Sequence, residues 1–300
     1  MSEYKPLVSI IIPTLNSARY LETTLESIKR QTYRNIELVI VDNYSKDNTC
    51  RIAEKFGATV YLIGPERAAQ DNYGIHKASG EFVYLTGSDM IIDSDYVQQA
   101  VDKCLNEGYD AIYASVLSKE GGGFWERVKA LERQSFIGSN LIEAARFFKK
   151  SVFMELGGFD ESLVGVEEDF QHRLDRGKYK TGRITAREVH LHEATTLTEI
   201  FKKSYYYGKF MPSYLKKHLA RGFRQLFPVR PSYICNIKIF IRNPVYLLGF
   251  MIYKTVQYIG GTLGLVVGLI KKEKKSDVTH KSLYGEKWEN YATKATTSQK

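Results

Sequence analysis

The sequence predicts an α/β fold in which helices cover both faces of a mostly parallel central sheet. Short apolar segments rich in β-branched residues alternate with segments of helical periodicity from Val8 to Leu85. That alternation is typical of consecutive β-α-β units, whose parallel strands are buried on both faces. Acidic residues also follow two of the predicted strands, at Asp42 and Asp89. Together these observations predict a ligand site at the carboxyl edge of the sheet.

The predicted elements follow one another closely along the chain. We predict strands at Val8–Ile12, Ile36–Val41, Thr59–Ile63 and Phe82–Leu85, with helices after Asn16, after Ser45–Asp47 and over Ala68–Ala78. The side chains of Asn16 and of Ser45–Asp47 are of the types that cap helix N-termini.

The strand ends lack a glycine-rich phosphate loop. Neither GxGxxG after the first strand nor GxxxxGK[ST] occurs in the sequence. A site lined by acids holds phosphate groups most directly through a divalent cation that bridges a carboxylate and a pyrophosphate. The residues alone therefore predict an α/β enzyme or binding protein with a metal-linked phosphate ligand.

The net charge of +9 is distributed unevenly along the chain. Residues 201–300 contain 19 Lys and Arg against 4 Asp and Glu, and no acidic residue occurs from Phe201 to Lys272. Such a block indicates a polyanionic partner, either nucleic acid or an anionic membrane surface. We expect a catalytic domain at residues 1–220, interfacial and membrane-embedded helices at 221–275, and a polar tail at 276–300.

The most apolar segment of the basic region is Pro244–Ile270. At ~1.5 Å per residue it is long enough to cross a hydrocarbon core of ~30 Å, and Lys254 is its one charged residue. Basic residues on both flanks favour a helical hairpin bent near Gly260 and Gly261, with one tilted span or a buried core helix as alternatives. Tyr233–Arg242 has the composition of an interfacial amphipathic helix. So continuous an apolar segment favours a membrane, and we expect no nucleic-acid partner.

Three stretches of sequence occur in the order found in a known enzyme family. They are VSIIIPTLNSARYLETTLESIKRQTYRNIELVIVDNYSKDNT, ERAAQDNYGIHKASGEFVYLTGSDM and GGFDESLVGVEEDFQHRL. With them the chain resembles the family-2 inverting glycosyltransferases of the GT-A fold, including membrane-associated enzymes of lipid-linked oligosaccharide assembly and cellulose-synthase-like enzymes. The resemblance implies a Rossmann-like sheet with flanking helices, followed here by C-terminal amphipathic and membrane helices.

The resemblance implies a nucleotide-sugar site at the ends of the first strands. Pro13, Thr14 and Asn16 match the loop that lines the nucleotide, Asp42 matches the acid that hydrogen-bonds the base, and Arg67 and Asn72 match residues near the nucleotide. The alternative is a turn acid for Asp42 and a solvated helix face for Arg67 and Asn72.

Gly87-Ser88-Asp89 stands at the family's Asp-x-Asp position. The resemblance implies that Asp89 binds Mg²⁺ or Mn²⁺ with the pyrophosphate oxygens, and that Ser88 lies at the nucleotide sugar. Gly87 departs from the pattern, which puts the usual ribose contact and metal affinity in question. His190 and His192 share one face of a predicted strand. The resemblance implies a histidine beside the metal or diphosphate in this region, which makes either one a candidate, with a structural histidine as the alternative.

The resemblance places the acceptor chemistry at Glu167-Glu168-Asp169. It implies that Asp169 is the general base for an acceptor hydroxyl, in a single displacement that inverts the anomeric carbon, and that Glu168 orients the acceptor or supports the base. Arg173 pairs with a carboxylate or approaches the leaving phosphate. An acidic first helix turn is the structural alternative, and we prefer it for Glu167.

The expected reaction is transfer of one sugar to a hydroxyl of a polyprenyl- or dolichyl-linked oligosaccharide, as in N-glycan assembly. Mannose from GDP-mannose is the working hypothesis for the donor. A dolichyl-phosphate sugar synthase is the alternative enzyme, although a retained carboxylate base favours a hydroxyl acceptor. A catalytically silent nucleotide-sugar binder at the membrane, or a basic nucleic-acid-binding protein, represents another class. The expected location is the cell membrane, with the catalytic domain on its cytoplasmic face.

Overall fold

The computed structural model describes residues 5–119, 121–138, 143–192, 196–219 and 230–271. Eight strands form one sheet: β1 (Val8–Thr14), β2 (Ile36–Asp42), β3 (Thr59–Leu62), β4 (Phe82–Leu85), β5 (Met90–Ile92), β6 (Ala111–Ser118), β7 (Phe147–Lys149) and β8 (Thr181–His190). Their order across the sheet is β3-β2-β1-β4-β7-β6-β8-β5.

Eleven helices are present in the described ranges. They are α1 (Ala18–Lys29), α2 (Thr49–Lys55), α3 (Arg67–Lys77), α4 (Tyr96–Asn106), α5 (Phe124–Phe136), α6 (Lys150–Glu155), α7 (Val166–Arg176), α8 (Leu197–Lys217), α9 (Pro231–Cys235), α10 (Ile237–Ile241) and α11 (Pro244–Lys271).

Alternating residues of β1 supply a hydrophobic core on each face of the sheet. Ile10 and Ile12 pack with residues of α1 and α4 on one face. Ile11 packs with residues of α3, α6 and α7 on the other. Because both faces are covered, β1 must be apolar at every position from Ile10 to Ile12, as the sequence predicts.

The α/β fold and the four predicted strands are confirmed, but the sheet is more mixed than predicted. β1 pairs in parallel with β2 and β4, and β2 with β3. β7 runs antiparallel between β4 and β6, and β5 runs antiparallel to β8. Asn16 does not occupy the N-cap position of α1, which is Ser17, whereas Asp47 from the predicted capping segment accepts a hydrogen bond of 3.0 Å from the N–H of Thr49 at the start of α2.

A row of glycines brings α11 against the backbone of α8. Gly260, Gly264 and Gly268 recur every four residues and are buried. A Cβ at Gly264 or Gly268 would overlap with the backbone of Tyr205 or Lys209 on α8. Residues four apart lie on one helix face, so these glycines form a smooth side along which the two helices touch.

The charged residue of α11 is directed into the protein. Lys254 forms an ion pair with Glu132 of α5, whose other carboxylate oxygen lies 2.6 Å from Nζ of Lys129. Tyr233 donates a hydrogen bond of 3.1 Å to the same carboxylate. Burial would raise the pKa of Glu132, but the two lysines hold it far below its usual range. Burial also lowers the pKa of Lys254 to about 8.

The prediction of a membrane-spanning hairpin or tilted span is not supported by the structure. None of the helices in the described ranges combines the length and the apolarity needed to cross a membrane. The side of α11 with Lys254 and the glycines packs on α5 and α8, so α11 is closer to the predicted alternative of a protein-packed helix. The predicted tail at 276–300 lies outside the described residues.

Candidate active site

The loops that follow β1 and β2 are joined at Asp42. This residue is fully buried, and its carboxylate accepts hydrogen bonds of 2.6 Å from the Thr14 and Ser45 hydroxyls and from the Ser45 backbone N–H. The sequence prediction places Asp42 at this strand end correctly. In this conformation its carboxylate shapes the two loops, and its contact with a nucleotide base stays a prediction.

Exposed Asn16 joins the same two loops through further hydrogen bonds. Its backbone has a positive φ of 48°, which Asn adopts more readily than most residues. Its N–H donates to Ser45 Oγ at 2.7 Å, and its Oδ1 accepts from the N–H of Lys46 at 2.9 Å. Pro13, Thr14 and Asn16 therefore belong to one of two loops that these hydrogen bonds join at the carboxyl edge of the sheet. We call the two loops, which follow β1 and β2, the tied loops.

The end of β4 leads to Asp89, and the pairing of β5 with β8 brings a histidine beside it. His190 lies opposite Met90 in that ladder, and its Nε2 is 3.5 Å from Oδ2 of Asp89. The two side chains are 25% and 29% exposed, so a ligand can reach them. Ser88 Oγ is hydrogen-bonded to Ser17 Oγ at 2.9 Å.

His192 lies apart from this pair. Its ring stacks on Tyr20 of α1 with centroids 5.9 Å apart. Of the two candidate histidines, the structure brings His190 to Asp89 and gives His192 an aromatic contact.

The donor set of Asp89 and His190 fits a divalent cation. A carboxylate oxygen and an imidazole nitrogen are both ligands that Mn²⁺ accepts. In the part of the chain that the structure describes, no three His, Cys, Asp or Glu side chains cluster as a metal site. A cation held here would therefore take its remaining ligands from the diphosphate and from water.

Gly87 leaves room for the Asp89 carboxylate. A Cβ at position 87 would lie 2.9 Å from Oδ1 of Asp89 and 3.3 Å from Cγ of Met90. A side chain at this position would thus press on the predicted metal ligand in its present orientation.

The acceptor motif forms the first turn of α7. Gly165 precedes the helix with a φ of 71°, in the left-handed region that favours glycine. Glu167 and Glu168 are partly exposed, whereas Asp169 is fully buried. The helix thus separates the three acids, and two of them face accessible space.

Asp169 joins α7 to the end of α8. Its Oδ2 accepts hydrogen bonds from Nε and Nη2 of Arg173 at 2.9 and 2.7 Å. Its Oδ1 lies 2.6 Å from Nε2 of His218 and 3.0 Å from Nζ of Lys217. Burial would raise the pKa of Asp169, but the hydrogen bonds from His218, Lys217 and Arg173 outweigh it and lower that pKa. Its role as the general base stays a prediction.

Arg173 and Asn72 both hold the turn that follows α6. Arg173 donates to the carbonyls of Leu156 and Gly158 at 2.5 and 2.7 Å. Asn72 Oδ1 accepts from the N–H of Phe159 at 2.9 Å, and its Nδ2 donates to the Phe159 carbonyl at 3.0 Å. For Arg173 the carboxylate pairing is the alternative that the structure contains. Asn72 has a structural contact where a nucleotide contact is predicted.

Arg67 lies beside the acceptor motif. It begins α3, after the end of β3, and its Nη2 is 3.3 Å from Oε1 of Glu167. Its Nε is 3.5 Å from Oδ2 of Asp71, a buried acid whose pKa burial raises to about 7. This ion pair places the start of α7 at the carboxyl edge of the sheet.

A buried ion pair next to β4 was not predicted from the sequence. Arg146 Nη1 lies 2.9 Å from Oε2 of Glu188, which is fully buried and also accepts from the Tyr96 hydroxyl at 3.3 Å. The carbonyl of Arg146 accepts the N–H of Leu85 at the end of β4. The alternation of Glu188 with His190 on β8 is the sequence signal that points to it.

Lys217 and His218 were also missed, and no local pattern predicts them. They follow Asp169 at a separation of about fifty residues, and only the return of α8 brings them to α7. Both residues follow the last of the three motifs, which ends at Leu174.

A cavity of about 620 Å³ lies between the start of α7, α8 and α11. Glu167 and Glu168 form part of its wall together with Arg67. Five tyrosines also line it: Tyr206, Tyr207, Tyr214, Tyr253 and Tyr258. The cavity therefore connects the accessible acids of α7 to the C-terminal helix.

Comparison with known proteins places these features in a family. A β-1,3-glucosyltransferase of Campylobacter jejuni that acts on GalNAc(5)-diNAcBac-PP-undecaprenol is 27% identical over 217 residues, which cover 66% of each protein. A PGL/p-HBAD biosynthesis glycosyltransferase of Mycobacterium tuberculosis is 32% identical over 167 residues, covering 52% of this chain and 64% of that protein.

Solved structures share the fold at low sequence identity. The mannosyltransferase PcManGT from Pyrobaculum calidifontis, in complex with GDP-Man and Mn²⁺, has a TM-score of 0.62 at 18% identity, covering 90% of this chain and 89% of that one. Residues 1–349 of S. aureus TarS with UDP-GlcNAc have a TM-score of 0.54 at 15% identity, covering 89% and 92%. These similarities confirm the GT-A fold.

The model of glycosyl transferase family 2 matches residues 9–157, which contain the tied loops and Asp89. The resemblance to this family drawn from the sequence is thereby confirmed, and the chain contains a family-2 glycosyltransferase domain.

Proposed function

We propose that this glycosyltransferase moves one sugar, with inversion, from a nucleoside diphosphate to a hydroxyl of a lipid-linked saccharide. The ion pair between Arg67 and Glu167 carries the proposal, because it brings the acceptor motif to the sheet edge that holds Asp42 and Asp89. The named acceptor of the Campylobacter jejuni relative, a glycan on undecaprenol diphosphate, supports a lipid carrier.

GDP-mannose is the donor we propose to test first. The similar fold of PcManGT was solved with GDP-Man and Mn²⁺, whereas TarS was solved with UDP-GlcNAc. Asp89 and His190 would hold the cation, which supplies positive charge to the diphosphate as it leaves. At the carboxyl edge of the sheet, the protein would hold the donor between the end of β4 and the tied loops.

The reaction requires a proton acceptor on α7. The acceptor oxygen bonds to the anomeric carbon, its proton passes to a carboxylate, and the bond from that carbon to the diphosphate oxygen breaks. The nucleoside diphosphate leaves with the bonding electron pair. Of the Glu168–Asp169 pair, Glu168 lines the cavity, whereas Asp169 must shed hydrogen bonds to serve as the base. We therefore propose Glu168 as the base to test first, with Asp169 as the alternative.

A phosphate acceptor is a second candidate that one observation favours. Arg173, Lys217 and His218 surround the Asp169 carboxylate, which lowers its pKa and weakens it as a base. An acceptor that is already anionic, such as a polyprenyl phosphate, needs no deprotonation. Parallel assays with a polyprenyl phosphate and with a lipid-linked saccharide separate the two enzymes.

We propose that α10 and α11 rest on a membrane surface without crossing it. The side of α11 opposite the glycines is apolar and exposed, with Leu248 at 57%, Leu263 at 48% and Leu269 at 59%. Exposed Ile237 and Ile241 of α10 continue this apolar character. Amphipathic helices of this kind lie in the interfacial plane, and nearby basic residues attract anionic lipid. The cytoplasmic face of the cell membrane is the location that we propose.

A panel of nucleotide sugars tests the proposed function. Each donor is incubated with the full chain, Mn²⁺ and membrane lipid extract, and products are identified by mass spectrometry. Mass addition of one hexose to a lipid-linked saccharide supports the proposal. Donor binding without transfer or hydrolysis in any combination would instead identify a silent nucleotide-sugar binder.

A further inference from the structure

We propose that the cavity between α7, α8 and α11 binds the saccharide of a lipid-linked acceptor, and that the lipid leaves it along α11. This inference rests on the proposed function and assigns the acceptor its place. The donor residues Asp42, Asp89 and His190 are absent from the cavity wall, whereas Arg67, a predicted nucleotide contact, lines it, so the cavity adjoins the predicted donor site without containing its metal pair.

One end of the cavity lies where transfer must occur. Glu168 and Glu167 line it from the first turn of α7, and Arg67 lines it from the start of α3. A saccharide in the cavity would thus present hydroxyl groups to the carboxylates of α7. Those acids lie at the helix N-terminus, where the helix dipole stabilises their negative charge.

The walls have the chemistry of a saccharide site. A tyrosine offers a flat apolar ring and a hydroxyl, which match the C–H face and the hydroxyl edge of a pyranose. Tyr206, Tyr207 and Tyr214 come from α8, and Tyr253 and Tyr258 come from α11. The volume of about 620 Å³ falls within the range of small-ligand sites, roughly 300–1,000 Å³.

The cavity also carries positive charge suited to a diphosphate. Lys203 of α8 and Arg230, immediately before α9, contribute to its wall. Lys129 lines it as well, with its ammonium 2.6 Å from Glu132. A saccharide joined to lipid through a diphosphate would therefore meet both tyrosines and cations in one cavity.

The opening of the cavity adjoins the apolar side of α11. Successive helix residues are turned by about 100°, so Tyr258 and Leu265 lie between the glycine side and the exposed apolar side, whereas Thr262 lies on the exposed side, opposite Gly264. Thr262 is both exposed and part of the cavity wall. Its neighbour Leu263 is exposed on the apolar side and does not line the cavity. A lipid attached to a bound saccharide can thus pass directly onto the apolar side.

The test obstructs this opening and measures binding directly. The probe is a disaccharide of N-acetylglucosamine linked to farnesyl diphosphate, bound to the full chain in detergent. We expect Thr262→Trp to weaken its binding at least tenfold, and Leu105→Trp, a control that adds the same ring to an exposed leucine of α4 outside the cavity wall, to change it less than twofold. Donor affinity and the thermal midpoint should be unchanged in both variants, which excludes misfolding.

A second pair of variants tests the role of the tyrosine rings. Tyr258→Ala should weaken probe binding several-fold, and Tyr258→Phe, which keeps the ring, should restore most of it. Farnesyl diphosphate without the disaccharide should bind more weakly than the probe. Equal binding of the two lipids, or equal probe binding by Thr262→Trp and wild type, would overturn the assignment.

Failure of this inference can be told from failure of the proposed function. Transfer by wild type together with unchanged binding in Thr262→Trp rejects the cavity and keeps the function. Probe binding that depends on Thr262, without transfer from any nucleotide sugar, rejects the function and keeps the cavity.

Discussion

At the scale of residues, the structure divides the predicted site residues into accessible side chains and side chains that hold the backbone. Asp89 and His190 are partly exposed and adjacent. Asn72 and Arg173 are instead engaged with the turn after α6. Sequence motifs identify candidate site residues, but the contacts in the folded chain are needed to tell the accessible side chains from those that hold the backbone.

The Asp89–His190 pair is tested by metal-dependent donor binding. We expect Asp89→Ala to abolish the Mn²⁺-dependent part of GDP-mannose affinity and His190→Ala to reduce it about tenfold, because each removes one of two protein ligands. His192→Ala should retain it, since that ring stacks on Tyr20. Titration calorimetry with and without Mn²⁺ measures the effect. Unchanged affinity in Asp89→Ala would show that the metal ligand is misassigned.

Replacing Glu168 or Asp169 by its amide should affect different properties of the protein. We expect Glu168→Gln to reduce kcat at least a hundredfold, as loss of a general base does, with little change in stability. Asp169→Asn should destabilise the protein by about 3 kcal/mol. This is the lower end of the range for breaking a buried ion pair, and we choose it because the Lys217 side chain is 40% exposed. Full activity of Glu168→Gln beside an inactive but stable Asp169→Asn would restore Asp169 as the base.

The contribution of Asp169 to stability should also depend on pH. Its pKa is lowered on folding from an ordinary value of 3.8, so the stabilisation is present above that value and is lost as pH falls below it. The difference in unfolding free energy between wild type and Asp169→Asn should therefore be full near neutral pH and shrink below about pH 4. Denaturant unfolding over that range measures it, and a difference that grows on acidification would contradict the sign.

At the scale of elements, the close approach of α8 and α11 explains why the sequence of Pro244–Ile270 resembles that of a membrane span. Glycine spacing and apolar composition are shared by membrane helices and by helices packed backbone to backbone. The long-range partner of Lys254, Glu132, decides between them, and its position 122 residues earlier has no local signature. Strands β1 to β4 were predictable because burial on both faces shows directly in a short sequence window.

Two glycines of α11 provide a matched test of this packing. Gly264→Ala should destabilise the protein by about 1–3 kcal/mol, because its Cβ would overlap with the Tyr205 backbone. Gly261→Ala should be neutral or stabilising by up to about 1 kcal/mol, since its Cβ would be 4.0 Å from the Ser204 carbonyl oxygen and alanine favours helix. Thermal unfolding compares them, and equal effects would contradict the predicted contact.

At the scale of the whole molecule, the chain combines a GT-A domain with an exposed apolar side on its last described helix. The charge asymmetry predicts an anionic partner, and the membrane surface that we propose would be such a partner without any span in the described helices. The acceptor cavity could not be predicted, because its wall joins α3, α7, α8 and α11 from distant parts of the chain.

Binding to lipid vesicles tests the proposed membrane surface. We expect the full chain to float with vesicles of phosphatidylcholine and phosphatidylglycerol, and Leu263→Glu to reduce the bound fraction several-fold. Leu105→Glu changes an exposed leucine of α4 and should leave binding unchanged. Equal flotation of both variants, or no flotation of wild type, would reject α11 as the contact surface.

The most direct test of the central claim is the mass of the product formed from a nucleotide sugar and a lipid-linked saccharide. With Mn²⁺ present, wild type is expected to add one hexose to the saccharide, and Asp89→Ala to add none under the same conditions. A wild-type protein that binds the donor but leaves every lipid-linked saccharide and polyprenyl phosphate unmodified would contradict the account.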